Sequence, residues 1–139
     1  MAEKTAPSTP PGEVAGAKLT FTISAIIEGF YFGLAFLLFA GFFMNMLSAV
    51  EATPTELYFL RIVAVLALAL GIGCWYARNG NQGEVRLMSL LMFIAKGGST
   101  IILVAMMFAV ETVQPIGWIN PILTAIIALL NIRQYLLTE

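Results

Sequence analysis

The sequence predicts an all-α membrane protein with four transmembrane helices in an up-down bundle and both termini in the cytoplasm. The first observation is composition: 60% of the residues are hydrophobic and 11% are charged, which exceeds the apolar share of a soluble domain. The second is that the apolar residues fall in long runs, each near or above the roughly 20 residues that a membrane-spanning helix needs. We place these spans at about residues 20–50, 54–77, 87–110 and 121–137.

The composition also excludes several functions. Seven basic residues and a net charge of −1 do not supply the clustered basic face that nucleic-acid binding requires. The chain has no histidine and no aspartate, and its single cysteine is Cys74. Imidazole ligation of metal or haem, histidine-based catalysis and an internal disulfide are therefore excluded. We expect no catalytic site, no metal and no cofactor.

The first 50 residues divide into a tail and a long span. Residues 1–18 contain three prolines among small and charged residues, which predicts a disordered cytoplasmic tail. Residues 19–50 would be roughly 48 Å long as one helix, which is longer than a bilayer is thick. We therefore expect this span to tilt or to begin as an interfacial turn.

Glycines mark a possible helix-packing face. Gly29 and Gly33 form a small-xxx-small pair that Gly41 extends, and Gly71 lies inside the second span. Small residues let another helix backbone come close, and helices in lipid gain their association from such contacts. The alternative is that glycine is simply frequent in membrane helices.

The second span opens with a helix-start pattern. Thr53 is the expected N-cap and Pro54 the first helical residue. Glu56 follows the cap by three residues, as the acid of a capping box does. Arg61 then lies about 10 Å inside the span. Asn45 lies at the same depth near the end of the first span, so an Asn45–Arg61 contact is expected. Alternatively, Arg61 extends its side chain to the interface.

The third span carries a lysine near its middle. Lys96 follows Arg86 by ten residues, and a charge at that depth must pair, deprotonate or line water. Glu28 lies at a similar depth in the first span, and no other acid lies inside an apolar run away from its ends. We therefore predict a Glu28–Lys96 ion pair inside the bundle. Its possible hydrogen-bonding neighbours are Ser99, Thr100 and Thr124.

The fourth span has two possible starts. Asn120 can cap a helix whose first residue is Pro121, which leaves Trp118 in the outer interface. Alternatively, the helix starts at Ile116 and is kinked at Pro121. We prefer the first, which gives a span over residues 121–137.

Basic residues indicate the orientation. The connectors on one side of the four-span drawing carry only acids, namely Glu51, Glu56 and Glu111. The positive-inside rule places the opposite side, with both termini and the middle loop, in the cytoplasm. We expect a multi-pass protein of a bacterial cytoplasmic membrane. The basic residues on that side are Lys4, Lys18, Arg78, Arg86 and Arg133.

Short motifs in the second and third spans point to a known family. They are Leu60-Arg61, Ala69-Leu70-Gly71-Ile72-Gly73, Arg78, Arg86 and Lys96-Gly97-Gly98-Ser99. In these motifs the chain resembles the four-helix DoxX-like membrane proteins, which have no characterised function. The resemblance departs where this chain has Lys96 for the usual arginine, and in the long first span with Glu28. It implies an all-helical four-span fold and supplies no reaction.

Two functions remain open. Four spans in 139 residues make a thin bundle, and the glycine faces offer more helix contacts than one chain uses. We therefore expect a structural or accessory subunit of a membrane assembly, or a homo-oligomer, surrounded by the lipid bilayer. The alternative is a small proton-coupled transporter that uses Glu28 and Lys96, because intramembrane acids and bases are the usual stations of a transport path.

Overall fold

The computed structural model describes residues 14–47, 51–109 and 114–138, and every regular element in these ranges is a helix. Four helices are long and apolar enough to cross a membrane, and we number them as spans in chain order. The predicted all-helical, four-span fold class is confirmed. Most of the predicted tail, residues 1–13, lies outside the described residues. The spans are Ala17–Leu38, Pro54–Ala77, Gln82–Ala109 and Pro115–Leu137.

The first span, predicted at about residues 20–50, is not one continuous α-helix. It is α-helical over Ala17–Ala25, π-helical over Ile26–Ala35 and α-helical again over Phe36–Leu38. At Phe39 the backbone leaves helical geometry, with φ −119° and ψ 35°, and a separate helix follows over Ala40–Leu47. A bend therefore divides a segment that is too long for a straight crossing. The predicted end at residues 48–50 lies outside the described residues.

Aromatic rings pack across this bend. Phe36 and Phe43 are stacked with their ring centroids 4.3 Å apart. The Phe39 N–H also donates to the Ala35 carbonyl at 2.9 Å, and the Phe43 N–H donates to the Phe39 carbonyl at 3.1 Å. These contacts hold the two helices in one defined relation, so the bend is part of the fold.

The second span begins as the capping box predicts. The Thr53 hydroxyl accepts from the Glu56 N–H at 3.3 Å, and the Glu56 carboxylate accepts from the Thr53 N–H at 2.7 Å. Pro54 is the first helical residue, where its missing N–H has no partner to lose. Local sequence alone therefore fixes this helix start.

The predicted start of the fourth span is wrong. Gln114 is extended, and a 3₁₀ turn over Pro115–Trp118 leads directly into an α-helix over Ile119–Leu137. Asn120 is therefore inside the helix and does not cap it. Pro121 is tolerated there because it falls in the first turn, where backbone N–H groups lack helical partners.

The four spans form two helical hairpins. The first span packs along the second, and the third packs most extensively along the fourth. Near the start of the first span, the Ala15 carbonyl accepts from Gln134 Nε2 at 3.1 Å, so the chain enters the bundle where the fourth span ends. Side chains from all four spans form a common core at this end. That core includes Phe21, Cys74, Val85, Met92 and Ile127.

Glycines bring the first and second spans into close contact. A Cβ atom added to Gly71 would lie 2.6 Å from Gly29 Cα, and one added to Gly33 would lie 2.9 Å from Leu68 Cα. Only glycine fits such an approach without a backbone shift. Gly41 does not extend this contact within the described part of the chain, because a Cβ there would have nothing within 4 Å. The bend at Phe39 lies between Gly33 and Gly41, so the two no longer follow one straight helix face.

Candidate functional site

Glu28 and Lys96 meet inside the bundle. Lys96 Nζ lies 2.5 Å from Glu28 Oε2, so the two side chains that the sequence analysis paired are in direct contact. Glu28 is 0% exposed and Lys96 is 7% exposed. Both charges are therefore held away from the outer surface of the bundle.

The ion pair bridges the two hairpins. The first and third spans make few backbone contacts with one another, and the long lysine side chain crosses the gap between them. Lys96 belongs to a buried stripe of the third span with Val85, Ser89 and Met92, and the 3–4-residue spacing of that stripe is one helix face. Lys96 Nζ also lies 5.2 Å from the centroid of the Phe32 ring, within the range of a cation–π contact.

Glu28 lies in the π-helical part of the first span. Such segments are rare and often occur at functional sites, because the wider turn changes which residues share a face. Gly29 and Gly33 lie in the same segment and pack against the second span, while Glu28 faces the third. One short segment therefore positions both the close glycine contact and the buried carboxylate.

Polar contacts continue from the ion pair toward the end of the bundle that holds the chain's first described residues. The Asn131 amide donates to the Ser24 hydroxyl at 2.9 Å. Further along, the Thr20 hydroxyl donates to Gln134 Oε1 at 3.4 Å, and Gln134 Nε2 donates to the Thr138 hydroxyl at 3.1 Å. All of these side chains are buried, and the Asn131–Ser24 and Thr20–Gln134 bonds join the first and fourth spans.

Polar contacts also continue toward the other end. The Thr100 hydroxyl donates to the Thr124 hydroxyl at 2.9 Å, which joins the third and fourth spans. Beyond it, the Tyr31 hydroxyl donates to Asn120 Oδ1 at 3.0 Å. Together with the ion pair these contacts make five polar layers, which we call the polar seam.

Three buried acceptor atoms in or beside the polar seam have no hydrogen-bond partner in the described part of the chain. They are Glu28 Oε1, the Ser89 hydroxyl oxygen and Asn131 Oδ1. Buried polar atoms are normally satisfied, so each is a place where a proton or a polar group can be accepted. Glu28 Oε1, a carboxylate oxygen, is the most basic of the three. The second oxygen of that carboxylate, Oε2, already contacts the Lys96 ammonium.

Two of the three predicted neighbours of the ion pair belong to the polar seam, and the third does not. Thr124 and Thr100 belong to the polar seam, and the Thr100 hydroxyl lies 2.7 Å from the Lys96 carbonyl oxygen. Ser99 donates only within its own helix, to the Ala95 carbonyl at 2.7 Å. The hydrogen bonds of these three residues thus go to each other and to the backbone, and not to the charged atoms.

The expected Asn45–Arg61 contact is wrong. Both residues are exposed, and within the described ranges no hydrogen bond or ion pair joins them. Arg61 lines a shallow surface recess with Tyr58, Ile62 and Val65. Counting residues predicted equal depth, but both side chains are exposed and no hydrogen bond or ion pair joins them in the described ranges.

Sequence reasoning missed most of the polar seam. Thr20, Ser24, Glu28 and Tyr31 follow one another by four, four and three residues, which is the spacing of one helix face. In the fourth span a matching face is formed by Asn120, Thr124, Asn131 and Gln134. These two matching polar faces in otherwise apolar spans are the signal that could have found it.

Comparisons with protein-family models, with curated proteins and with solved structures found no match to this chain. The resemblance to DoxX-like proteins therefore stays a prediction. Among the described residues, no group of three or more side chains could hold a metal ion.

Proposed function

We propose that this protein is a structural subunit of a membrane assembly, built with other membrane proteins or with copies of itself. The burial of the ion pair carries the proposal. Glu28 has no exposed surface and Lys96 almost none, so neither charge meets the water on either side of a membrane. A sealed pair of this kind fixes which helices meet, and removing one partner leaves a charge that nothing compensates.

The outer surface of the third span supports association. Gly98 is exposed, and a Cβ atom added to it would meet nothing within 4 Å. Large apolar side chains flank it, with Ile101 72% and Ile102 63% exposed. A glycine among such side chains allows another helix to approach closely. We propose that the face around Gly98 contacts a helix of a neighbouring subunit.

The association proposal is tested by counting chains in particles extracted from native membranes with lipid-preserving polymers. We expect more than one chain in each particle, either copies of this protein or one companion in fixed ratio. Gly98→Leu should break the particles apart without unfolding the chain, since the leucine meets no other part of it. Ala69→Leu, a matched change at an exposed position of the second span, should leave them intact. Single chains in every particle would contradict the proposal.

A second candidate, proton-coupled transport, is favoured by the extent of the polar seam. Asn120 and Gln134 are fourteen residues apart in the fourth span, which is about 21 Å along a helix. That covers most of a hydrocarbon core of roughly 30 Å. The free oxygen of Glu28 lies between the two ends, and buried acids and bases commonly form proton relays.

Proton flux in liposomes separates the two candidates. The purified protein is reconstituted with a pH-sensitive dye inside and a proton gradient imposed, beside a Glu28→Gln, Lys96→Gln double variant that keeps hydrogen-bonding groups but no charge. The structural proposal predicts that wild type, double variant and empty liposomes leak at one rate. Flux in the wild type that the folded double variant lacks would replace it with the transport candidate.

A further inference from the structure

A groove runs along the outside of the first hairpin, between the first and second spans. Its volume is about 340 Å³. Small residues form its floor, with Ala25 and Gly71 buried and Gly29 half-buried, because the close approach of Gly29 and Gly71 leaves no side chain between the helices. Large, exposed side chains form its walls, among them Phe30 at 65%, Trp75 at 47% and Tyr76 at 77% exposure. The groove is therefore apolar, open to the side and closed at its base.

One end of the groove carries positive charge. Arg78 follows directly on the second span, and its guanidinium carbon lies 3.5 Å from the centroid of the Trp75 ring. Arg78 Nε is buried and has no hydrogen-bond partner among the described residues. The terminal N–H groups of this arginine, stacked on a wall of the groove and without an ion-pair partner in the described ranges, can bind an anionic oxygen.

A second cation lies at the same end. Lys18 precedes Ala25, a residue of the groove floor, by seven residues within the α-helix Ala17–Ala25, which places it on the groove face of the first span. From the Gly29–Gly71 contact, Arg78 lies about 10 Å and Lys18 about 16 Å along the helices in the same direction. Lys18 is exposed, and within the described ranges neither cation has an ion-pair partner.

We propose that this groove binds an anionic phospholipid, with an acyl chain over the glycine floor and the phosphate held by Arg78 and Lys18. A guanidinium matches phosphate oxygens in a two-pronged geometry, and basic residues at the ends of membrane helices bind anionic headgroups. Tryptophan and tyrosine beside the cations are typical of the headgroup level. The apolar groove and the two cations thus match the two parts of one molecule.

Charge favours a lipid over a helix of a second copy. A helix docked in the groove would have to bring an acid to the level of Arg78. Glu84 is the described acid nearest in sequence, and it already accepts from the Asn81 N–H at 2.9 Å. A lipid phosphate needs no such rearrangement.

Native mass spectrometry of the purified protein tests the proposal. The protein in mild detergent receives equal amounts of dioleoylphosphatidylglycerol and dioleoylphosphatidylcholine, and the retained lipid is measured. We expect the anionic lipid to be retained preferentially, and Arg78→Gln or Lys18→Gln to lower its retention about fivefold each. Arg86→Gln is the matched control, because Arg86 also faces a ring, with 5.0 Å to the Tyr135 centroid, but lies away from the groove.

A second pair of variants tests the acyl-chain part. Ile72→Trp narrows the groove at a residue that is 52% exposed, and Ile94→Trp adds the same bulk to the third span at 61% exposure. We expect only Ile72→Trp to lower retention of the anionic lipid. Equal retention of the two lipids, equal effects of Arg78→Gln and Arg86→Gln, or dimers that carry no lipid would each overturn the proposal. Lys18→Gln keeps the test open if Arg78→Gln does not fold, because Lys18 is exposed.

Discussion

The two joints of this bundle use opposite means to hold helices together. The first and second spans meet at Gly29 and Gly71, where backbone touches backbone. The two hairpins meet through the polar seam, where side chains reach across a wider gap to form an ion pair and hydrogen bonds. Lipid gives helices little hydrophobic reason to associate, so close packing and polar pairing are the available forces. The glycine joint should fail when atoms are added, and the polar seam when one partner is removed.

The largest effect is expected from removing one charge of the polar seam. Lys96→Met should lower the free energy of unfolding by about 3–5 kcal/mol, because it leaves a buried carboxylate without its counter-charge. Unfolding followed in mixed detergent micelles measures the loss. Arg133→Met, which removes an exposed cation of the fourth span, is the control and should unfold like the wild type. A Lys96→Met protein as stable as the control would mean that the pair does not hold the hairpins together.

Adding one methyl group to the glycine joint should have the next largest effect. The Cβ of Gly71→Ala would lie 2.5 Å from Gly29 N, so the two backbones must separate, at a cost of about 1–3 kcal/mol. Gly41→Ala in the helix Ala40–Leu47 is the matched control, with nothing within 4 Å of its Cβ among the described residues. We expect it to be neutral or to stabilise by up to about 1 kcal/mol, as alanine does in a helix. Equal effects at both positions would remove the distinction between packed and free glycines.

Removing one neutral hydrogen bond of the polar seam should have the smallest effect. Ser24→Ala deletes the acceptor of Asn131, which keeps its second bond to the Ile127 carbonyl at 2.9 Å. The expected loss is about 0.6–2 kcal/mol, the range for hydrogen bonds between membrane helices. Ser99→Ala removes only a bond within one helix and should cost less under the same unfolding conditions. The reverse order would show that the neutral layers contribute nothing between the hairpins.

How far the sequence predicts this molecule depends on the kind of information needed. Hydropathy and the Thr53–Glu56 capping box are local, and both predict the fold correctly. Counting residues gives depth, and depth is enough for Glu28 and Lys96 because each is the only charge of its sign deep in its span. The depth of a residue in the membrane does not indicate which way its side chain faces around the helix axis, and for this reason the predicted Asn45–Arg61 contact is wrong.

The remaining differences arise from contacts that are distant in sequence. Asn120 resembles a helix cap, but it lies inside the helix and accepts from the Tyr31 hydroxyl, 89 positions away. The bend at Phe39 comes with stacking of Phe36 on Phe43, and no proline marks it. Local sequence patterns do not indicate such tertiary partners, and the rest of the polar seam is therefore not predicted from them.

A double-mutant cycle on Glu28 and Lys96 tests the central claim most directly. The free energy of unfolding is measured for Glu28→Gln, Lys96→Gln, the double variant and the wild type under one set of conditions. If the two charges hold the hairpins together, the stability loss of the double variant should be smaller than the sum of the two single losses. The difference should be about 2 kcal/mol or more. Single losses that add to within about 0.5 kcal/mol would mean that the residues do not interact, and would contradict the account.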